Sequence, residues 1–110
     1  MNGWFEIHRS KDDQVHFDLK AGNGETILSS ELYRAKASAL AGIASVQVNC
    51  ADDKRYERAI ATNKQPYFNL RAANQQVIGT SQRYSSTSAM EAGIASVKAN
   101  GLTKTIKDNT

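Results

Sequence analysis

Apolar and polar residues alternate along Trp4–His8 and again along Val15–Ala21, where Phe17, Leu19 and Ala21 interleave with His16, Asp18 and Lys20. A period of two predicts strands with one buried face. Asp12-Asp13-Gln14 is a polar turn between them, and Gly22-Asn23-Gly24 contains the Asn-Gly pair that marks a hairpin, because both residues tolerate positive φ. Thr26–Leu32 is a third strand. Further on, Tyr56–Ala61, Tyr67–Ala73 and Val77–Gln82 read as strands separated by Thr62-Asn63-Lys64-Gln65 and Asn74-Gln75, with Pro66 at a strand entry. Elsewhere the period lengthens. Ala39, Ile43 and Val46 recur at helical spacing in Lys36–Val48, as do Met90, Ile94 and Val97 in Thr87–Ala99. An extended segment follows each helix, Lys54–Glu57 and Lys104–Asp108.

The same pattern is written twice. A shift of 51 positions aligns Phe5–Asn49 with Tyr56–Asn100 without a gap, and Ala41–Val46 recurs letter for letter as Ala92–Val97. Two copies are too few for a solenoid, and a unit of about fifty residues buries too little surface to stand alone. The expectation is one domain, residues 1–110, made of repeats at about 3–53 and 54–108 that share a core. Its class is α+β: three strands, a helix and a strand, twice over, in one mainly antiparallel sheet with both helices on one face. The linker after the first helix runs into the opening strand of the second unit.

Several repeated residues suggest structural roles. Gly42 and Gly93 stand inside the helices, where glycine costs about 1 kcal/mol against alanine. That predicts close backbone approach in both copies. Tyr33 and Tyr84 sit at the strand-to-helix corners, and Asn23 and Asn74 in the hairpins. Ser88 with Glu91 has the form of a capping box, with Ser86 an equally good cap, and Asn49 and Asn100 stand where a left-handed C-terminal residue is expected.

Phe-x-Leu-x-Ala-x-Asn, Ile-x-x-Ser-x-x-Tyr and Gly-Ile-Ala-Ser-Val-x-x-Asn occur in both halves. With the Gly3-Trp4-Phe5-Glu6 start and Ala21–Leu28, they closely resemble the YegP family of small bacterial proteins over essentially the whole chain. The resemblance implies tandem β3-α-β units in a single sheet, with the C-terminal strands exchanged between repeats. It also implies that single-repeat relatives build the same object as a dimer. It carries no activity, substrate or cofactor. Ala35 and Ala37 replace the family's usual hydroxyl residues, predicting a poorly capped first helix. Asn74-Gln75 replaces Asn-Gly, predicting a longer or strained second hairpin.

Composition and charge narrow the chemistry. The chain has 110 residues, net charge +3 and a pI near 9.1, with bases and acids interspersed. This is a mixed solvated surface without the clustered basic stripe of a nucleic-acid binder. No apolar run is long enough to span a bilayer, and the start lacks the pattern of a secretory signal. One cysteine, Cys50, fits a reducing compartment, so the expectation is cytoplasmic. Gly22-Asn23-Gly24 fails as a nucleotide fingerprint at Ile27, and the acidic pairs Asp12-Asp13 and Asp52-Asp53 lie in turns. His8 and His16 have Ala59 and Tyr67 as counterparts. Two histidines on adjacent strands can meet, but without a third ligand type nearby the pattern specifies no metal.

No cofactor and no catalytic set are therefore expected. The candidate binding face is the sheet surface opposite the helices, with Trp4, His16, Lys20, Tyr67 and Arg71. It would serve a protein-interaction or structural module. The alternative is weak single-stranded nucleic-acid binding by stacking and charge. The expected state is a monomer with pseudo-two-fold symmetry, its partner unspecified.

Overall fold

The computed structural model describes residues 3–110; Met1 and Asn2 of the opening segment lie outside the described residues. Three strands come first, β1 (Trp4–Arg9), β2 (Val15–Lys20) and β3 (Thr26–Ser30), followed by helix α1 (Lys36–Asn49). A 3-10 turn at Asp53–Arg55 leads into β4 (Tyr56–Ile60), β5 (Pro66–Arg71) and β6 (Val77–Thr80). Helix α2 (Thr87–Asn100) and β7 (Ile106–Asn109) complete the chain. The seven strands form one sheet in the order β4-β5-β6-β3-β2-β1-β7, antiparallel except where β7 joins β1.

The halves meet back to back. Ser29 of β3 pairs with Thr80 of β6, its own counterpart in the repeat, so the pseudo-two-fold axis passes between them. α1 packs on β2 of its own unit and on β5 and β6 of the other, while α2 packs on β5 and on β3 and β2. One contiguous core results, centred on Phe5, Phe17, Leu19, Phe68 and Leu70 from the sheet and Ile43, Val46, Ile94 and Val97 from the helices. Neither half could enclose these residues alone.

The strand exchange runs through β7. It leaves α2, crosses to the first unit and lies parallel to β1 in the register Phe5↔Ile106, with Lys36 bonded to Asp108. The segment after α1 instead makes the 3-10 turn and continues into β4. Among the described residues, the outer edge of β4 thus has no strand partner. The turn's Asp53 carbonyl caps the Tyr56 N–H, and Arg58 is held by Asp53 and Glu91. Charged residues and a short strand are a common way to keep an edge from pairing.

All four tight turns share one geometry. In each, the N–H of a left-handed residue returns to the carbonyl three positions back, and the flanking pair closes the hairpin: Ser10/Gln14, Ala21/Glu25, Ala61/Gln65 and Ala72/Gln76. The left-handed residues are Asp13 (φ 67), Gly24 (φ 87), Lys64 (φ 67) and Gln75 (φ 71). The second hairpin is therefore no longer than the first. It keeps the same turn and places Gln75 in a conformation that favours glycine.

Some sequence expectations need correction. Asn49 and Asn100 do not end their helices in a left-handed conformation; they are helical, and Cys50 and Gly101 beyond them have φ of −66° and −67°. Each asparagine instead donates its amide back to the carbonyl four residues earlier, Ser45 and Ser96, at 2.8 Å. That bond adds a side-chain donor in the last turn without a left-handed residue. The third strands stop at Ser30 and Thr80, two residues short of the expected ends. Ser86, not Ser88, caps α2: the helix begins at Thr87, Ser86 accepts the Ala89 N–H, and Glu91 pairs with Arg58 instead. Ala35 gives α1 no side-chain cap, as its residue type predicts. At Gly42 and Gly93 the close neighbour is a tyrosine side chain rather than backbone. A Cβ at Gly42 would lie 2.5 Å from the Tyr33 hydroxyl and 2.8 Å from Phe17, and one at Gly93 would collide with Tyr84.

Candidate functional site

Strand alternation sends Val15, Phe17 and Leu19 into the core and His16, Asp18 and Lys20 onto the uncovered face; Pro66–Arg71 does the same with Tyr67, Asn69 and Arg71 outward. The five candidate residues therefore share a face, but they do not converge. Trp4, His16 and Lys20 lie on β1 and β2, and Tyr67 and Arg71 on β5, with β3 and β6 between them.

Four of the five are also already engaged. Lys107 of β7 lies 4.0 Å above the Trp4 ring, and the Trp4 indole N–H donates to Glu6 at 2.7 Å. Lys20, opposite Trp4 in the register, donates to Thr26 Oγ1 at 2.6 Å. Arg71 donates to Glu57 at 2.8 Å and to the Gln75 carbonyl, and Arg83 lies over the Tyr67 ring. The Trp4 hydrogen bond, helped by Lys20 and His8, holds the Glu6 carboxyl below its ordinary range; Asn69 and Arg71 do the same for Glu57. The face thus carries ionised acids among its bases. That is a poor platform for a polyanion.

The histidines do meet. His8 and His16 are directly opposite in the register, their rings stacked with centroids 5.3 Å apart. The neighbouring row supplies what the sequence reading lacked, since Glu6 and Asp18 are opposite one another beside them.

The repeated residues assemble in a way the alignment does not suggest. Tyr33, Gly42 and Ser45 of the first unit face Asn74, Gln76 and Ile78 of the second across a cleft of about 240 Å³. Tyr84, Gly93 and Ser96 face Asn23, Glu25 and Ile27 across its symmetric twin of about 210 Å³. Each cleft is built by the helix of one repeat and the hairpin of the other. The recurrence of these residues follows from the fold itself. Tyr33 and Tyr84 stack on Phe17 and Phe68 at 6.3 and 6.4 Å, and Asn23 and Asn74 accept the N–H groups of Glu25 and Gln76 inside their turns. Burial pushes both tyrosine hydroxyls above their ordinary range. Cys50 is buried too, and its burial raises the thiol, opposite to what a reactive cysteine needs.

The helices differ on their outer faces. After Lys36, α1 carries no charged residue, and Ala37, Leu40, Ala41, Ala44 and Val48 all face solvent, with Val48 80% exposed. On α2 the counterparts of Leu40 and Gln47 are Glu91 and Lys98, which pair with Arg58 and Asp53. The sequence holds this signal, but it appears only when the two helices are compared position by position. No helix among the described residues is long and apolar enough to cross a membrane.

Seven strands, two helices and an internal duplication define a tandem-repeat α+β protein whose halves complete one core. The chain belongs to the family described as "Domain of unknown function (DUF1508)", which it matches twice, over residues 10–57 and 61–108. It is 64% identical to a UPF0339 protein of Acinetobacter baylyi over 110 residues, covering 100% of this chain and 99% of that one. With the UPF0339 protein YegP of Escherichia coli K12 it shares 59% identity over the full length of both. The solution NMR structure of yegP from E. coli, described as a protein of unknown function, superposes with a TM-score of 0.95 over 100% of this chain and 95% of that one. A UPF0339 protein from Shewanella oneidensis superposes at 0.93, with 58% identity, over 98% and 92%. The family resemblance and the fold class read from the sequence are therefore correct, and the family's function is unknown.

Proposed function

We propose that this chain is a protein-interaction module and that the outer face of α1 is its contact surface. The observation that supports this is the asymmetry between two helices that otherwise repeat one another. α2 turns charged, ion-paired residues outward, whereas α1 turns Leu40, Ala44 and Val48 outward in a row one turn apart. A solvent-facing helix normally alternates an apolar stripe with a polar one. An uncharged outer face is what a partner's apolar side chains would cover. The uncovered sheet face is the lesser candidate, because Trp4, Lys20 and Arg71 are spent on internal contacts.

The test uses α2 as its own control. A photo-crosslinking residue at Val48 should capture a partner in the cells that make the protein, and the same residue at the equivalent Ala99 should not. Leu40→Glu with Gln47→Lys, which copies α2 onto α1, should abolish the adduct while leaving the thermal melt within a few degrees. Equal labelling from both helices, or labelling indifferent to the copied charges, would remove the proposal.

A further inference from the structure

We propose that Glu6, His8, His16 and Asp18 bind one divalent cation of the Zn2+ type on the uncovered face of the sheet. The four residues form two adjacent cross-strand pairs, Glu6↔Asp18 and His8↔His16, at the centre of the β1–β2 ladder. Like charges directly opposite on a sheet repel. Among the described residues, neither carboxylate has a lysine or arginine in ion-pair contact; the groups within reach are the two imidazoles.

The donor atoms lie close to one another without closing on a common point. His8 Nε2 is 3.2 Å from Glu6 Oε1 and 3.9 Å from Asp18 Oδ2, and His16 Nε2 is 4.0 Å from the same Asp18 oxygen. Bonds of about 2.0–2.2 Å around a tetrahedral zinc place neighbouring donors about 3.3–3.6 Å apart. One distance fits within about a tenth of an ångström, and the other two need to close by about half an ångström. No three of the groups are preset as a cage among the described residues, so the ion would draw them in. The buried His16 Nδ1 has no hydrogen-bond partner, so no competing bond fixes that ring.

The surrounding groups suit the role. The second oxygen of each carboxylate is held from behind: Trp4 donates to Glu6 Oε2 at 2.7 Å and Ser29 to Asp18 Oδ1 at 2.8 Å. Such outer hydrogen bonds aim ligating carboxylates and tune their basicity. The histidine side chains are about a third exposed, so an ion can enter. Two imidazoles with two carboxylates favour a borderline ion such as Zn2+ over Mg2+ or Ca2+, which prefer oxygen alone. The second repeat has Glu57, Ala59, Tyr67 and Asn69 at these positions. It lacks three of the four donors, so one site per chain is expected.

The experiment titrates untagged full-length protein with Zn2+ at neutral pH, following histidine ring signals by NMR and heat by calorimetry. The expected result is one ion per chain, with His8 and His16 moving together and Mg2+ leaving both in place. His8→Ala with His16→Tyr substitutes the residues the second repeat carries there, so the fold should survive. It should weaken Zn2+ binding by on the order of 100-fold. Asp18→Asn, likewise the second repeat's residue, should weaken it at least tenfold. Zn2+ binding with unchanged affinity in the double variant, or histidine signals that do not move at one equivalent, would overturn the assignment. So would an equal response to Mg2+.

Discussion

Cys50 and Gly101 occupy the same place in the two repeats, just past the ends of α1 and α2, and they touch each other. A Cβ built on Gly101 would stand 2.8 Å from both the Cβ and the Sγ of Cys50. Equivalent residues can meet only on the symmetry axis, so this contact closes the helical layer as Ser29 and Thr80 close the sheet. Two identical side chains of any size would collide here. The duplication tolerates one small buried residue and one glycine, which accounts for the difference between the two copies at this position.

Gly101→Ala should therefore destabilise the protein by about 1–3 kcal/mol, the usual cost of overpacking a filled interior. Gly101 has a negative φ, so backbone strain contributes nothing. Adding Cys50→Gly should recover part of the loss. A double-mutant cycle in urea should read a coupling of about 0.5–3 kcal/mol. Independent, additive effects would place the two residues apart.

The turns make a prediction of opposite sign. Asp13, Lys64 and Gln75 hold positive φ in the geometry that Gly24 occupies. Relief of the left-handed conformation is worth about 1–2 kcal/mol, offset by the added freedom glycine gives the unfolded chain, about 0.4–1 kcal/mol. Gln75→Gly should thus stabilise by roughly 0.5–1 kcal/mol, while Gly24→Ala should destabilise by a similar amount. Denaturant midpoints for the pair would decide it.

Much of this architecture was legible in the sequence, and the failures share a cause. Strand alternation at Val15–Lys20 and helical spacing at Met90, Ile94 and Val97 are local patterns that burial then confirms. The repeat, which aligns without a gap, exposed the shared core. What stayed hidden depends on which copies of the repeated residues meet. Tyr33 aligns with Tyr84 but shares a cleft with Asn74, because the hairpin beside each helix comes from the other unit. Glu6 lies two residues from His8 in sequence, yet its partnership with Asp18 and His16 exists only once β1 and β2 are in register. The charge difference between the outer faces of α1 and α2 was written in the sequence throughout. It carries meaning only after burial shows that Leu40 and Glu91 both point to solvent.

Arg58 ties the β4 edge to Glu91 of α2 at 2.6 Å and to Asp53 of the preceding turn at 3.1 Å, which Lys98 of α2 also holds. Hydrogen bonds from Lys98 and Arg58 hold the Asp53 carboxyl below its ordinary value, and Arg58 does the same for Glu91. A carboxylate depressed in the folded state stabilises it above its unfolded pKa, and that contribution disappears as pH falls through the folded pKa. Arg58→Ala should therefore lower stability most near neutrality, modestly because these groups are at the surface. The gap to the parent should shrink steadily once pH drops below about 4. Parallel denaturation curves at pH 7 and pH 3 measure this. A gap that is constant with pH would mean Arg58 acts by packing alone.

The last strand tests whether the two repeats truly depend on one another. β7 is exposed along its length, but it covers the edge of β1, accepts the Phe5 N–H at its entry through the Thr105 carbonyl, and places Asp108 against Lys36 and Lys107 on Trp4. Ending the chain at Leu102 removes those contacts from the first unit while deleting residues of the second. If the exchange matters, the damage should appear in the first unit. Trp4 fluorescence should shift to the red, and amide exchange should quicken along Phe5–Ile7, where Phe5 and Ile7 are fully buried and the backbone pairs with β7, while Tyr56–Leu70 stays protected. A fragment ending at Asp52 is the stronger cut. It lacks β4, β5, β6 and α2, so Phe17 and Leu19 lose much of their cover, and it should be unfolded or dimeric. A cooperative monomeric melt from that fragment would show that one repeat encloses its own core.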